Sequence, residues 1–136
     1  MENNNNIKIF IIIIVVLILG TITAALLQSS NNIPAGPGKY DAFAICLKDK
    51  GAVLYGAFWC PHCQEQKKLF GTSQKFLPYV ECSTADGQGQ LQICKDQKIV
   101  GYPTWKLADG TVIPNENGAG VSLETLAAKT SCPLPE

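Results

Sequence analysis

Cys60-Pro61-His62-Cys63 stands where the apolar stretch Ala52–Phe58 gives way to a polar, helix-forming one. Two thiols three residues apart at a helix start stack one turn above each other. They can close into a disulfide without moving the backbone. The first thiol also lies where unpaired backbone N–H groups and the positive end of the helix dipole favour a thiolate. Pro61 suits the first helical position, because the N–H it lacks would be orphaned there. Cys60 is therefore expected to be the attacking thiolate, and Cys63 the thiol that resolves a mixed disulfide. His62, the single histidine of the chain, stands between them and can stabilise a Cys60 thiolate through its N–H or its charge. The competing readings are a structural disulfide or half of a zinc site. Zinc takes about four ligands, and no second C-x-x-C or further histidine supplies them, so no metal and no cofactor beyond the Cys60–Cys63 disulfide is expected.

The charge balance excludes one broad class. Eleven basic and eleven acidic side chains cancel, and no stretch concentrates the basic ones, so nothing marks a nucleic-acid surface. Six cysteines in 136 residues raise the question of compartment, since disulfides persist in oxidising spaces and are rare in reducing ones. Ile9–Leu27 is an uncharged apolar run. As a helix it would reach about 28 Å, close to the ~30 Å of a hydrocarbon core. The expectation is a single-pass transmembrane anchor, with residues 1–8 a short cytoplasmic tail. The alternative is a secretory signal cut near Thr23-Ala24-Ala25. Lys8 before the run and Lys39 well beyond it put the N-terminus inside and the redox domain outside the cytoplasm. Residues 28–38, polar and then Pro- and Gly-rich, read as a flexible linker.

Residues 39–132 read as one domain, followed by a short tail at 133–136. Asp41 caps a helix carrying Phe43, Cys46 and Leu47 on one face and stopped by Gly51. Ala52–Phe58 has the continuous apolar character of a strand buried on both faces. A helix runs from Pro61 to Phe70, with Gln64–Lys68 solvated and Leu69 and Phe70 facing inward. Tyr79–Cys82 is a second strand and Leu91–Gln97 a short helix. Thr104–Leu107 and Thr111–Ile113 form a hairpin about Asp109-Gly110, and Ser122 caps a last helix. Strands alternating with helices and closing on a hairpin make an α/β domain with a mixed central sheet.

Setting aside Cys60–Cys63, the other four cysteines allow three pairings. The local choice bridges Cys82 and Cys94 across a polar loop, leaving Cys46 with Cys132. Both are read as structural staples, against the rival reading of a second pair that relays electrons.

Tyr55-Gly56-Ala57-Phe58-Trp59-Cys60-Pro61-His62-Cys63, Tyr79-Val80-Glu81-Cys82 and Tyr102-Pro103-Thr104-Trp105, in this order, resemble the thioredoxin-like superfamily. Within it, they resemble the thioredoxin-like domain of bacterial vitamin K epoxide reductase homologues. The resemblance implies a thioredoxin-like fold and a thiol–disulfide oxidoreductase. It makes Pro103 a cis-proline facing the redox pair, with Tyr102, Pro103 and Thr104 beside an extended substrate. Trp59 then offers either an apolar surface for clients or a core plug. The Cys-Pro-His-Cys set resembles DsbA-type oxidases, which implies a donor of disulfides to exported, cysteine-bearing client proteins. Reoxidation would fall to a membrane partner of the vitamin K epoxide reductase or DsbB type. The alternatives are a reductase or isomerase kept reduced by a membrane electron carrier, and a non-catalytic adaptor. One departure stands out: the family's buried acidic residue six positions before the first cysteine is Leu54 here, which leaves no evident proton acceptor.

Overall fold

The computed structural model describes residues 3–28, 36–115 and 118–136. The chain divides into two units, Met1–Ala35 and Gly36–Glu136. Most of the linker expected at residues 28–38 lies outside the described residues.

The first unit holds α1 (Asn3–Gln28), and the large apolar side chains described along it, Ile7 to Leu19, are exposed. The transmembrane anchor expected at Ile9–Leu27 is corrected here. Among the described residues, no helix is long and apolar enough to cross a membrane. The single-pass membrane localisation with an extracytoplasmic redox domain, which rested on that span, falls with it.

The second unit is mixed α/β. In chain order it contains α2 (Asp41–Asp49), β1 (Val53–Gly56), α3 (Pro61–Lys68), a 3-10 helix (Gly71–Phe76), β2 (Tyr79–Glu81), α4 (Gln92–Asp96), β3 (Thr104–Lys106), β4 (Val112–Ile113) and α5 (Leu123–Thr130). The sheet order is β2-β1-β3-β4. β1 pairs parallel with β2 (Leu54 opposite Tyr79) and antiparallel with β3 (Leu54 opposite Trp105). The short hairpin then adds β4 antiparallel to β3. β1 is thus one of the two inner strands, and its apolar character has a direct cause. Successive side chains of a strand point to opposite faces, and both faces are covered. Leu54 packs with Phe43, Leu47, Phe70, Trp105, Ile113, Val121 and Leu126. Tyr55 packs on the other side with Ile99 and the buried Cys82 and Cys94. Phe43 and Phe70 stack at 5.9 Å between ring centroids, and Trp105 leans on Phe70 at 6.4 Å. Each such side chain removed from water contributes about 1.5–3 kcal/mol.

Several boundaries and faces differ from expectation. Asp41 does not cap α2. Tyr40 holds the cap position, and the Asp41 carboxylate instead accepts the Gly38 N–H at 2.9 Å. α3 stops at Lys68, and a 3-10 helix that periodicity did not suggest carries the chain to β2. The inward positions around α3 are Cys63, Gln66 and Phe70, spaced by three and four residues as one helical face demands. Leu69 therefore points outward and is 46% exposed, while Gln66, expected in water, is buried. The expected turn is present, with Gly110 at φ 88°. The Ser122 side chain accepts the Thr125 N–H at 3.2 Å, capping α5.

Candidate active site

The redox pair stands where β1 ends and α3 begins. The parallel β1–β2 pairing stops at Gly56 opposite Glu81. The chain then turns through Ala57–Trp59 before Cys60 takes the N-cap position of α3 with an extended ψ of 116°. At an N-cap the side chain faces the unpaired N–H groups of the first turn. The Cys60 sulfur fills that role by accepting the Cys63 N–H at 3.3 Å. Pro61 follows at the first helical position. Both sulfurs are free thiols here, Cys60 5% exposed and Cys63 fully buried. Burial pushes the Cys63 thiol up to about 12, helped by its hydrogen bond with Cys60. A backbone hydrogen bond from Ala57 and, less strongly, the Lys67 ammonium pull it down. The two thiols are thus unlike: one at the rim, one sealed behind it. That is what stepwise exchange at Cys60, followed by closure from Cys63, requires.

The Tyr102–Pro103 bond is cis. The Cys60 thiol donates to the Tyr102 carbonyl at 3.8 Å, a long contact even for sulfur, so the segment before Pro103 runs against the exposed edge of the pair. Pro103 is buried and Tyr102 and Thr104 are half-buried. The Thr104 hydroxyl donates to the Gly101 carbonyl at 2.8 Å. His62 is exposed at the first turn of α3. Trp59 is 53% exposed, so it is no core plug. Its indole N–H donates to the Ser83 hydroxyl at 2.8 Å, and its ring meets Tyr102 edge-on at 6.1 Å between centroids. Phe58 beside it is half-exposed as well. The mouth of the site is apolar.

The other four cysteines are joined as Cys46–Cys132 and Cys82–Cys94. Cys82 and Cys94 are fully buried and Cys132 nearly so, which leaves no sulfur of the Cys82–Cys94 pair at the surface to pass electrons onward. Among the described residues, no group of three or more His, Cys, Asp and Glu side chains could hold a metal ion.

Several polar residues that frame the site carry no signal at motif spacing. Glu81 accepts the Phe58 N–H at 3.2 Å, the Ser83 N–H at 2.9 Å and the Tyr79 hydroxyl at 2.8 Å. It thereby ties the end of β2 to the turn before Cys60. The Gln90 amide donates to the Ile99 carbonyl at 2.8 Å and to the Tyr102 hydroxyl at 2.9 Å. Asn115 donates to the Pro103 carbonyl at 2.8 Å. Gln66 holds Val121 twice, donating to its carbonyl at 2.9 Å and accepting its N–H at 2.6 Å. Apart from the two that Glu81 makes with Tyr79 and Ser83, these contacts join residues 9 to 55 positions apart. The one sequence hint is the position of Glu81, two residues beyond Tyr79 on the same face of a strand.

No protein-family model matches this chain. Over 72 residues it is 47% identical to the thiol-disulfide oxidoreductase LTO1 of Arabidopsis thaliana. The matched stretch takes in 50% of this chain and 19% of that protein, so the chain is similar to about a fifth of the length of this relative.

Proposed function

We propose that this chain is a thioredoxin-like protein thiol–disulfide oxidoreductase that donates the Cys60–Cys63 disulfide to cysteine-bearing client proteins. The observation that carries the reading is the asymmetry of the pair. The Cys60 sulfur sits at the rim, on the Cys63 N–H and against the Tyr102 carbonyl, while Cys63 is sealed behind it. The similarity to a protein named for thiol–disulfide exchange supports the same chemistry. In the forward step a client thiolate attacks the Cys60 sulfur, the Cys60–Cys63 bond breaks, and its electron pair leaves on Cys63. A second client thiolate then attacks the client sulfur of the mixed disulfide and releases Cys60 as thiolate. Two electrons pass from client to pair, and the client leaves with a disulfide. An extended client segment lies along the backbone at Tyr102, with the apolar rim of Phe58 and Trp59 covering its side chains. A quinone-linked membrane enzyme is the proposed acceptor that restores the disulfide.

The test is the reduction potential of the pair against glutathione, together with the activity of Cys60→Ser. A donor of disulfides equilibrates nearer about −120 mV than about −270 mV, and the serine variant loses all exchange. A value near the lower figure reverses the direction to that of a reductase. Full function in Cys60→Ser would leave only a binding role.

A further inference from the structure

Leu54, six positions before Cys60 where the thioredoxin-like resemblance implies a buried carboxylate, is fully buried among apolar neighbours. The polar groups on the Cys63 side come instead from α3 and β2. Gly56 separates Cys63 from Tyr79. A methyl group on it would stand 2.9 Å from the Cys63 sulfur and 3.0 Å from Cε2 of Tyr79, so the sulfur and the ring flank one bare Cα. The ring is fixed from both sides. Its hydroxyl donates to Glu81 at 2.8 Å, and the Lys67 ammonium lies over its face, 3.4 Å from the centroid. Lys67 follows Cys63 by four residues on α3, which places the two on one helical face about 5–6 Å apart at Cβ. A cation over an aromatic face is held there electrostatically. This ring therefore stops the lysine from swinging into water and keeps a positive charge beside a buried sulfur.

Resting on the exchange reading above, we propose that Lys67 is a positioning residue for Cys63: seated on the Tyr79 ring that Glu81 pins, its charge stabilises the thiolate expelled when the Cys60–Cys63 disulfide opens. The attacking thiolate bonds to the Cys60 sulfur, the S–S bond breaks, and the electron pair settles on Cys63, which then takes a proton from water. In the closing direction the same charge favours loss of that proton to water. The titratable and charged groups facing Cys63 are Cys60 and Lys67 on α3 and Tyr79 on β2, with Glu81 behind the tyrosine. Lys67 is the single cation among them. Burial and the bond to Glu81 push the Tyr79 phenol far above its ordinary range, so it stays neutral and serves as the seat rather than as a base.

The experiment is the rate at which dithiothreitol reduces the Cys60–Cys63 disulfide of the full chain, read by thiol trapping. Wild type is compared with Lys67→Met, Lys67→Arg and, as a control for net charge, Lys68→Met. Lys68 is exposed and pairs with Glu65 at 2.7 Å. Lys67→Met is expected to slow reduction about two- to fivefold, the effect of a less stable leaving thiolate, with Lys67→Arg restoring the rate and Lys68→Met leaving it unchanged. Equal rates in wild type and Lys67→Met overturn the assignment. So does a Lys67→Arg variant as slow as Lys67→Met, which would mean packing, or a Lys68→Met variant equally slowed, which would mean attraction of the anionic reductant. A wild-type pair that dithiothreitol does not reduce at all would instead sink the exchange reading itself.

Discussion

Cys63 carries a stability consequence that can be read without any client. Its thiol is pushed up to about 12 in the folded protein by burial, against about 8.5 in an unfolded chain. Between those values the unfolded state gives up the proton and the folded state keeps it. Unfolding then releases a proton, and folding stability falls as pH rises. The contribution is fully present below about pH 8.5 and is lost towards pH 12. In the disulfide form this thiol does not titrate. The reduced protein is therefore expected to lose stability more steeply than the oxidised protein above about pH 8.5. Urea unfolding of the two forms at pH 7, 9 and 10 checks this, and parallel curves would contradict it.

At the scale of elements, the two disulfides close loops of very different size. Cys46–Cys132 spans 86 residues of sequence and ties α2 to the segment after α5. Cys82–Cys94 spans 12 and ties the end of β2 to α4. In the chain-entropy model they contribute about 4.6 and 3 kcal/mol. Replacing Cys46 and Cys132 by serine is expected to lower the urea midpoint more than replacing Cys82 and Cys94. The reverse order would show that the burial of Cys82 and Cys94 behind Tyr55 outweighs loop length. Elements also mark how far the sequence could be read. The Cys60–Cys63 pair at a helix start, the Asp109-Gly110 turn and the Ser122 cap are local features, each fixed by a few adjacent residues. Gln66 is expected in water because its neighbours Gln64, Glu65, Lys67 and Lys68 are all polar. Its inward position follows from where Phe70 and Cys63 point, and the partner at Val121 is 55 residues away. The strand order and the Tyr79–Cys63 approach across Gly56 are likewise products of pairing between distant segments. The membrane span expected at Ile9–Leu27 rests on an uncharged apolar run and its length, and among the described residues no helix is long and apolar enough to cross a membrane.

For the whole molecule, every buried cluster among the described residues, both disulfides and the redox pair fall within Gly36–Glu136. A unit of that size with its own core and two cross-links meets the ordinary requirements for folding alone. A fragment comprising residues 36–136 is expected to melt within a few degrees of the full chain, and to be reduced by dithiothreitol at the same rate within about twofold. A fragment that fails to form the Cys46–Cys132 bond would refute this.

The amide of Gln66 engages Val121 as a neighbouring strand would, through one N–H and one carbonyl. From Val121 the covalent path runs through α5 to Cys132 and across to Cys46 in α2, whose Phe43 lies flat on Phe70. The scaffold behind the sulfurs is thus a closed ring of rigid struts, not a branch with a free end. Under the exchange reading proposed above, a push on α3 from the side of the sulfurs would therefore be resisted from the rear at two points, the Gln66–Val121 pair and the Phe43–Phe70 stack.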